Sequence, residues 1–157
     1  MAKSVETFLI RPPQIEEAPL IKALIDGAAR SGDVLPRSQA EILHNLALFR
    51  VYVTSEGVGG CCALHPDTAD LAEVRSIIVR PELRGQGVGS HLVADCATVG
   101  RALGMKRIYA LTRARRFFES LDFYEIDMGE LPQKVFRDCL RCHLYPNCNE
   151  IAMVRDL

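Results

Sequence analysis

The sequence predicts an α/β fold, a mixed central sheet of six to seven strands flanked by about four helices. Three observations carry this. The apolar run Ile77-Ile78-Val79 breaks at Pro81, passes through Arg84-Gly85-Gln86-Gly87-Val88-Gly89 and opens an amphipathic stretch to Leu103, which reads as strand, tight turn, helix. Two strand-like runs, Phe49 to Thr54 and Val58 to Leu64, meet at Glu56-Gly57, a hairpin signal. The chain has 157 residues with no repeat, low-complexity stretch or interdomain linker, which suits a single domain, 1–157.

Taken in order, Val5 to Arg11 reads as the first strand, ended by Pro12-Pro13, which cannot donate to a ladder. Gln14 to Arg30 follows as a helix, with Ile15, Ala18, Ile21, Ile25 and Ala29 near helical spacing. Pro19 is tolerated only in a first turn, so the true start is expected nearer to it. Ser31 to Pro36 is a loop. Ser38-Gln39-Ala40-Glu41 is a capping box opening a short helix through Asn45, with Ile42, Leu43 and Leu46 on its apolar side. In the second hairpin strand one of Cys61 and Cys62 is expected to face the core as a small apolar residue. After a turn at His65 to Thr68, Leu71 to Val79 is the central strand and carries Glu73 and Arg75. The helix Gly87 to Leu103 lines up Val88, Leu92, Cys96, Val99 and Leu103, with Gly104 as its stop. Arg107 to Leu111 is a strand ending at Thr112, and Ala114 to Leu121 a short helix with Phe117, Phe118 and Leu121 as its apolar face. Phe123 to Ile126 and Glu150 to Val154 are the last strands.

Composition narrows the function. Net charge is −1, which gives no electrostatic case for nucleic acid or an anionic membrane. No apolar run approaches the ~18 residues of a membrane span. The opening MAKSVETFLIRPP lacks the long apolar stretch of a signal peptide, so the cytoplasm is the expected compartment. There the six cysteines are expected as thiols or metal ligands rather than structural disulfides.

The glycine turn is the chemical signature. Glycines at a helix start let backbone N–H groups converge without a Cβ in the way, and the positive helix end favours an anion. Arg84 adds a planar charged fork. The spacing of Gly85, Gly87 and Gly89 is not that of a dinucleotide-binding loop, and the Gly-Lys-Ser/Thr of an NTPase loop is absent. What fits is Arg-x-x-Gly-x-Gly over Arg84, Gly87 and Gly89. This resembles the acetyl-CoA pyrophosphate motif of the GCN5-related N-acetyltransferases. The resemblance implies acetyl-CoA as co-substrate, held by the strand end Ile77, Ile78 and Val79 and by Arg84, Gly85, Gln86, Gly87, Val88, Gly89 and Ser90.

Further stretches narrow it. Leu35-Pro36-Arg37-Ser38, Leu71-Ala72-Glu73, Ala110-Leu111-Thr112, Phe117 to Phe123 and Leu131-Pro132-Gln133-Lys134-Val135 look like the short, single-domain N-acetylglutamate synthases. The resemblance covers Ile10 to Val154 and implies acetyl transfer to the α-amine of L-glutamate, the first step toward arginine. Two departures are visible. Asp122 stands where the family usually has glycine, although Asp tolerates a left-handed backbone better than most. The chain also lacks the kinase-like arginine-binding domain of the long enzymes, so feedback inhibition by arginine at that site is not expected.

Acetyl transfer needs a base for the ammonium, alignment of the amine with the thioester, a donor to the oxyanion and a route for the thiolate. The resemblance places the catalytic glutamate at Glu73, which otherwise reads as a solvent-facing carboxylate or a partner of Arg75. A backbone N–H near Ile78 or Val79 is the oxyanion candidate. Thr112 is the candidate partner of the departing sulfur or a plain strand-end threonine. Tyr109 and Tyr124 are weaker proton donors, and Tyr109, in mid-strand, reads more readily as core. Two substrate carboxylates call for cations. Arg75, Arg37, Arg11, Arg113 and Lys134 are the candidates, with Arg75 first because period two puts it on the face of Glu73. They read equally as solvated charges.

The C-terminal segment 131–157 carries Cys139, Cys142 and Cys148. Zinc, a redox disulfide and plain thiols are the readings, and no metal ligand is assigned. A homodimer packed on Phe136 is open. Two other functions compete: acetyl transfer to another amine, and a CoA-binding sensor or accessory subunit without turnover.

Overall fold

A computed structural model describes residues 7–132 and 149–157. Lys134, Phe136, Cys139, Cys142, His143 and Cys148 lie outside the described residues. The strands are β1 (Leu9–Arg11), β2 (Phe49–Thr54), β3 (Gly57–Pro66), β4 (Leu71–Val79), β5 (Arg107–Thr112), β6 (Tyr124–Ile126) and β7 (Ile151–Asp156). The helices are α1 (Ala18–Arg30), α2 (Gln39–His44), α3 (Val88–Ala102) and α4 (Arg115–Glu119). The strands form one mixed seven-stranded sheet in the order β1-β2-β3-β4-β5-β7-β6, as the sequence predicts. Among the described residues no helix is long and apolar enough to cross a membrane.

The chain forms two compact units. One comprises Met1–Ala63 with Ser76–Asp95, the other Leu64–Arg75 with Cys96–Leu157. β4 belongs to both, and the chain passes from one to the other between Arg75 and Ser76.

In the first unit β1, β2 and β3 pair antiparallel. Its core joins Ala18, Ile21 and Ile25 of α1 and Ile42 of α2 to Phe49, Val51, Val58, Cys61 and Ile78. Pro19 sits in the first turn of α1, as its missing N–H requires. Ile15, counted by sequence into the helical face, lies in a 3-10 turn before α1 and is exposed. Ser38 caps α2 by accepting from the Glu41 N–H at 3.1 Å. Both Cys61 and Cys62 are buried, not one of them. The reason is that β3 is covered on both faces: Cys61 Sγ lies 3.6 Å from the Ser76 carbonyl and Cys62 Sγ 3.7 Å from that of Leu92. Burial pushes the Cys61 thiol up to about 12, against a weaker opposing hydrogen bond from the Ile78 backbone.

This unit is packed tightly where β3 meets β4 and α3. A Cβ on Gly60 would stand 2.9 Å from the Ile78 carbonyl oxygen and 3.4 Å from Val88 and Leu92 side-chain atoms. The backbone there cannot yield as a flexible side chain would. Gly60→Ala is therefore expected to cost about 1–3 kcal/mol, read as a lower urea midpoint with an unchanged slope. Wild-type stability would show that the sheet relaxes around the methyl group.

In the second unit β4 and β5 pair in parallel through Leu71–Arg107, Ala72–Ile108 and Glu73–Tyr109. β7 runs antiparallel between β5 and β6. Leu71, Tyr109, Leu131, Ala152 and Val154 form its core cluster. Asp122 takes φ 66°, so it does adopt the left-handed backbone expected there. Of the α3 stripe, Val88 and Leu92 in the first unit and Cys96 in the second are buried, but Leu103 lies past the helix end and is exposed.

Candidate functional site

The glycine turn has the conformation its residues suggest. β4 ends at Val79, and Pro81–Leu83 makes a 3-10 turn. Gly85 and Gly87 then adopt φ 76° and 84°, where an L side chain is strained. Nothing lies within 4 Å of where their Cβ atoms would be, which leaves room for a ligand against the backbone. Val88 is buried and anchors the start of α3, while Arg84 to Gly87 are exposed. The first N–H groups of α3 have few preceding carbonyls to bond, and that of His91 takes the Gly87 carbonyl at 3.0 Å. Arg84 Nε donates to the Val79 carbonyl at 3.3 Å, bracing the turn against the strand end. Among the described residues no carboxylate pairs with Arg84, so its terminal nitrogens suit an anion. This donor set fits a pyrophosphate.

Ser76 is the feature that sequence reasoning missed. It is buried inside β4 with φ 55°. A serine in mid-strand carries no signal for a left-handed backbone, a conformation that costs about 1–3 kcal/mol. It immediately precedes Ile77, Ile78 and Val79.

The second unit gathers a charged cluster on one sheet face. Glu73 and Tyr109 are direct neighbours across the β4–β5 ladder. Arg75, two residues on, brings Nη1 to 3.9 Å from Glu73 Oε2, as period two predicts. Both side chains are mostly buried. The Tyr109 hydroxyl donates to Asp67 Oδ2 and stands 3.5 Å from Glu73 Oε2. His65 Nδ1 lies 3.5 Å from Asp67 Oδ1. Burial, then the charge of Glu73 and the hydrogen bond to Asp67, raise the Tyr109 phenol well above its ordinary value. Asp67 was not foreseen. Its only sequence signal is a short His65-x-Asp67 stretch ahead of the central strand.

The other candidates have defined partners. Thr112 Oγ1 accepts from the Ala114 N–H at 2.9 Å, tying the end of β5 to the turn before α4. It lies three positions beyond Tyr109 along β5, so strand alternation turns it to the opposite face. Tyr124 donates to the Asp156 carboxylate at 3.1–3.2 Å. Arg11 forms a two-pronged pair with Glu17, at 2.7 and 3.0 Å, and also donates to the Pro12 carbonyl. That pair holds the Glu17 carboxyl below its ordinary range against the opposing effect of burial. Arg37 Nη1 is 3.8 Å from Glu41 Oε2, one helical turn away. Glu150, just before β7, has its carboxyl raised by burial, which the charge of Arg113 opposes.

Known proteins share this fold. The Acetyltransferase (GNAT) family model matches residues 21–123. An uncharacterised N-acetyltransferase of Chlorobaculum tepidum is 35% identical over 148 residues, covering 94% of this chain and 96% of that protein. An amino-acid acetyltransferase of Mycobacterium tuberculosis is 30% identical over 140 residues, 86% of this chain and 79% of that one. The N-acetylglutamate synthase of Neisseria gonorrhoeae, solved with coenzyme A and N-acetyl-glutamate, superposes with a TM-score of 0.87 at 26% identity. That match covers 96% of this chain but 35% of the gonococcal one, so the chain spans about a third of that enzyme.

Proposed function

The chain belongs to the acetyltransferase (GNAT) family, and from that premise we propose that it acetylates the α-amine of L-glutamate. Membership makes it an acyltransferase with acetyl-CoA as co-substrate. Glutamate as acceptor, the first step toward arginine as the reaction's place and the cytoplasm as its setting are our reading. One observation carries the acceptor: a carboxylate and a cation, Glu73 and Arg75, stand side by side on the strand that runs into the glycine turn. The likeness to the gonococcal synthase supports it.

In this reading Arg84 and the N–H groups of Gly85 to Ser90 hold the pyrophosphate. Glu73 takes a proton from the substrate ammonium, directly or through one water, leaving a nucleophilic amine. A backbone N–H near Ile78 or Val79 donates to the carbonyl oxygen as negative charge develops there. The resemblance would give the departing sulfur to the O–H of Thr112, but that side chain stands on the opposite face of β5 from Tyr109 and already caps the Ala114 N–H, so this reading assigns it no step. Arg75 binds one substrate carboxylate, and Arg37, Arg11 or Lys134 the other.

A second acceptor class is favoured by one fact. Arg11, Arg37 and Arg75 each have a carboxylate neighbour, at 2.7, 3.8 and 3.9 Å. A dicarboxylate must compete with those partners, whereas a less anionic amine need not. Thiol release from acetyl-CoA, with glutamate set against glutamine, aspartate, ornithine and a peptide N-terminus, separates the two. Glutamate is expected to lead in kcat/KM by at least about tenfold, a difference of about 1.4 kcal/mol. A better amine would keep the acetyltransferase and discard glutamate. CoA binding without turnover on any amine would point to a sensor.

A further inference from the structure

The second unit holds a buried phenol between two carboxylates. Tyr109 is fully buried, while Asp67 and Glu73 are mostly buried. A phenol has one proton to give. Asp67 Oδ2 is the closer acceptor, and Glu73 Oε2 lies at 3.5 Å, the far limit of a hydrogen bond. With the proton given to Asp67, the phenol oxygen presents lone pairs to Glu73. That arrangement favours a Glu73 carboxyl that carries a proton over one that is charged, and the negative Asp67 beyond the ring oxygen acts in the same direction. A base that must strip an ammonium benefits from this push.

We propose that Asp67 is a positioning residue for the reaction: by fixing the Tyr109 proton on itself, it turns the phenol oxygen toward Glu73 and sustains that residue's grip on a proton. The inference rests on Glu73 being the base. Among the described residues, the charged and titratable groups with a resolved position facing the cluster include Arg75 and His65. Arg75, on β4, lies 3.9 Å from Glu73 and pulls the other way, favouring the carboxylate. His65, at the end of β3, lies 3.5 Å from Asp67 and would offset its charge when protonated. From β7, the residue opposite Tyr109 is the apolar Val154. Burial is the main cause of the raised phenol, and the two neighbouring carboxylates add to it.

The test is the pH profile of kcat/KM for the accepted amine in Asp67→Asn and Tyr109→Phe, with Glu73→Gln alongside. Asn at 67 removes the charge and can accept or donate, so the phenol is released to donate to Glu73. The sign follows: Glu73 loses its proton more easily, and the acid limb moves to lower pH. A displacement of about one pH unit is expected, with the plateau several-fold lower because the base is weaker. Tyr109→Phe, which keeps the ring and its packing, is expected to move the same limb. A purely structural role would lower Tm and the amount of active enzyme but leave the limb in place. An unmoved limb in a folded Asp67→Asn or Tyr109→Phe protein, with Glu73→Gln inactive, would overturn the inference and leave the base intact. Full activity in Glu73→Gln would overturn the base itself.

Discussion

Glu73→Gln is expected to lower turnover about 10²-fold or more, the usual range for removing a general base. The amide keeps the size and most of the packing of the carboxylate but cannot hold a proton at neutral pH. Arg75, 3.9 Å away, loses its ionic neighbour and retains a carbonyl oxygen. KM for acetyl-CoA is expected to change little, because the glycine turn is built from other residues. The loss thus belongs to kcat, the signature of an interaction made in the transition state. Wild-type turnover in Glu73→Gln across the pH range would remove Glu73 from the reaction.

Gly87→Val should act in the complementary way. At φ 84° a β-branched residue is a steric outlier, although no atom lies within 4 Å of the new Cβ. The penalty comes from the backbone, which must turn its N–H groups away from their common focus. KM for acetyl-CoA is expected to rise about 10²-fold, equivalent to about 2.7 kcal/mol, with kcat at saturation falling much less. Isothermal titration with CoA reads the same loss without chemistry. Unchanged CoA affinity in a folded variant would mean that the turn does not cradle the pyrophosphate.

The elements written in local patterns were legible. β2 and β4 were read to their ends because β-branched and apolar residues run unbroken between strong turn residues. The start of α1 followed from Pro19, and its 13 residues follow one apolar face. The cofactor turn was legible because its chemistry is contiguous: six successive residues supply the glycines and the arginine. Pairings across distance were not. Asp67 meets Tyr109, 42 residues away, only through the parallel register that sets Glu73 beside Tyr109. Arg11 reaches Glu17 over two prolines, a reversal that no periodicity encodes. Ser76 lacks the residue type that marks a left-handed backbone, so its conformation is imposed by the surrounding fold. Of the acceptor side, only the Glu73–Arg75 pair was readable, through period two along a single strand.

Three thiols buried among the described residues also make the molecule its own clock. Cys61 and Cys62 belong to one compact unit and Cys96 to the other, and all three are buried. An alkylating reagent attacks the thiolate, and it reaches these sulfurs only when the surrounding packing opens. Mass-resolved alkylation in native buffer would thus time the opening of each unit separately, with no cysteine introduced by mutation. Ligands that slow one clock and not the other would reveal which half of the chain they hold closed.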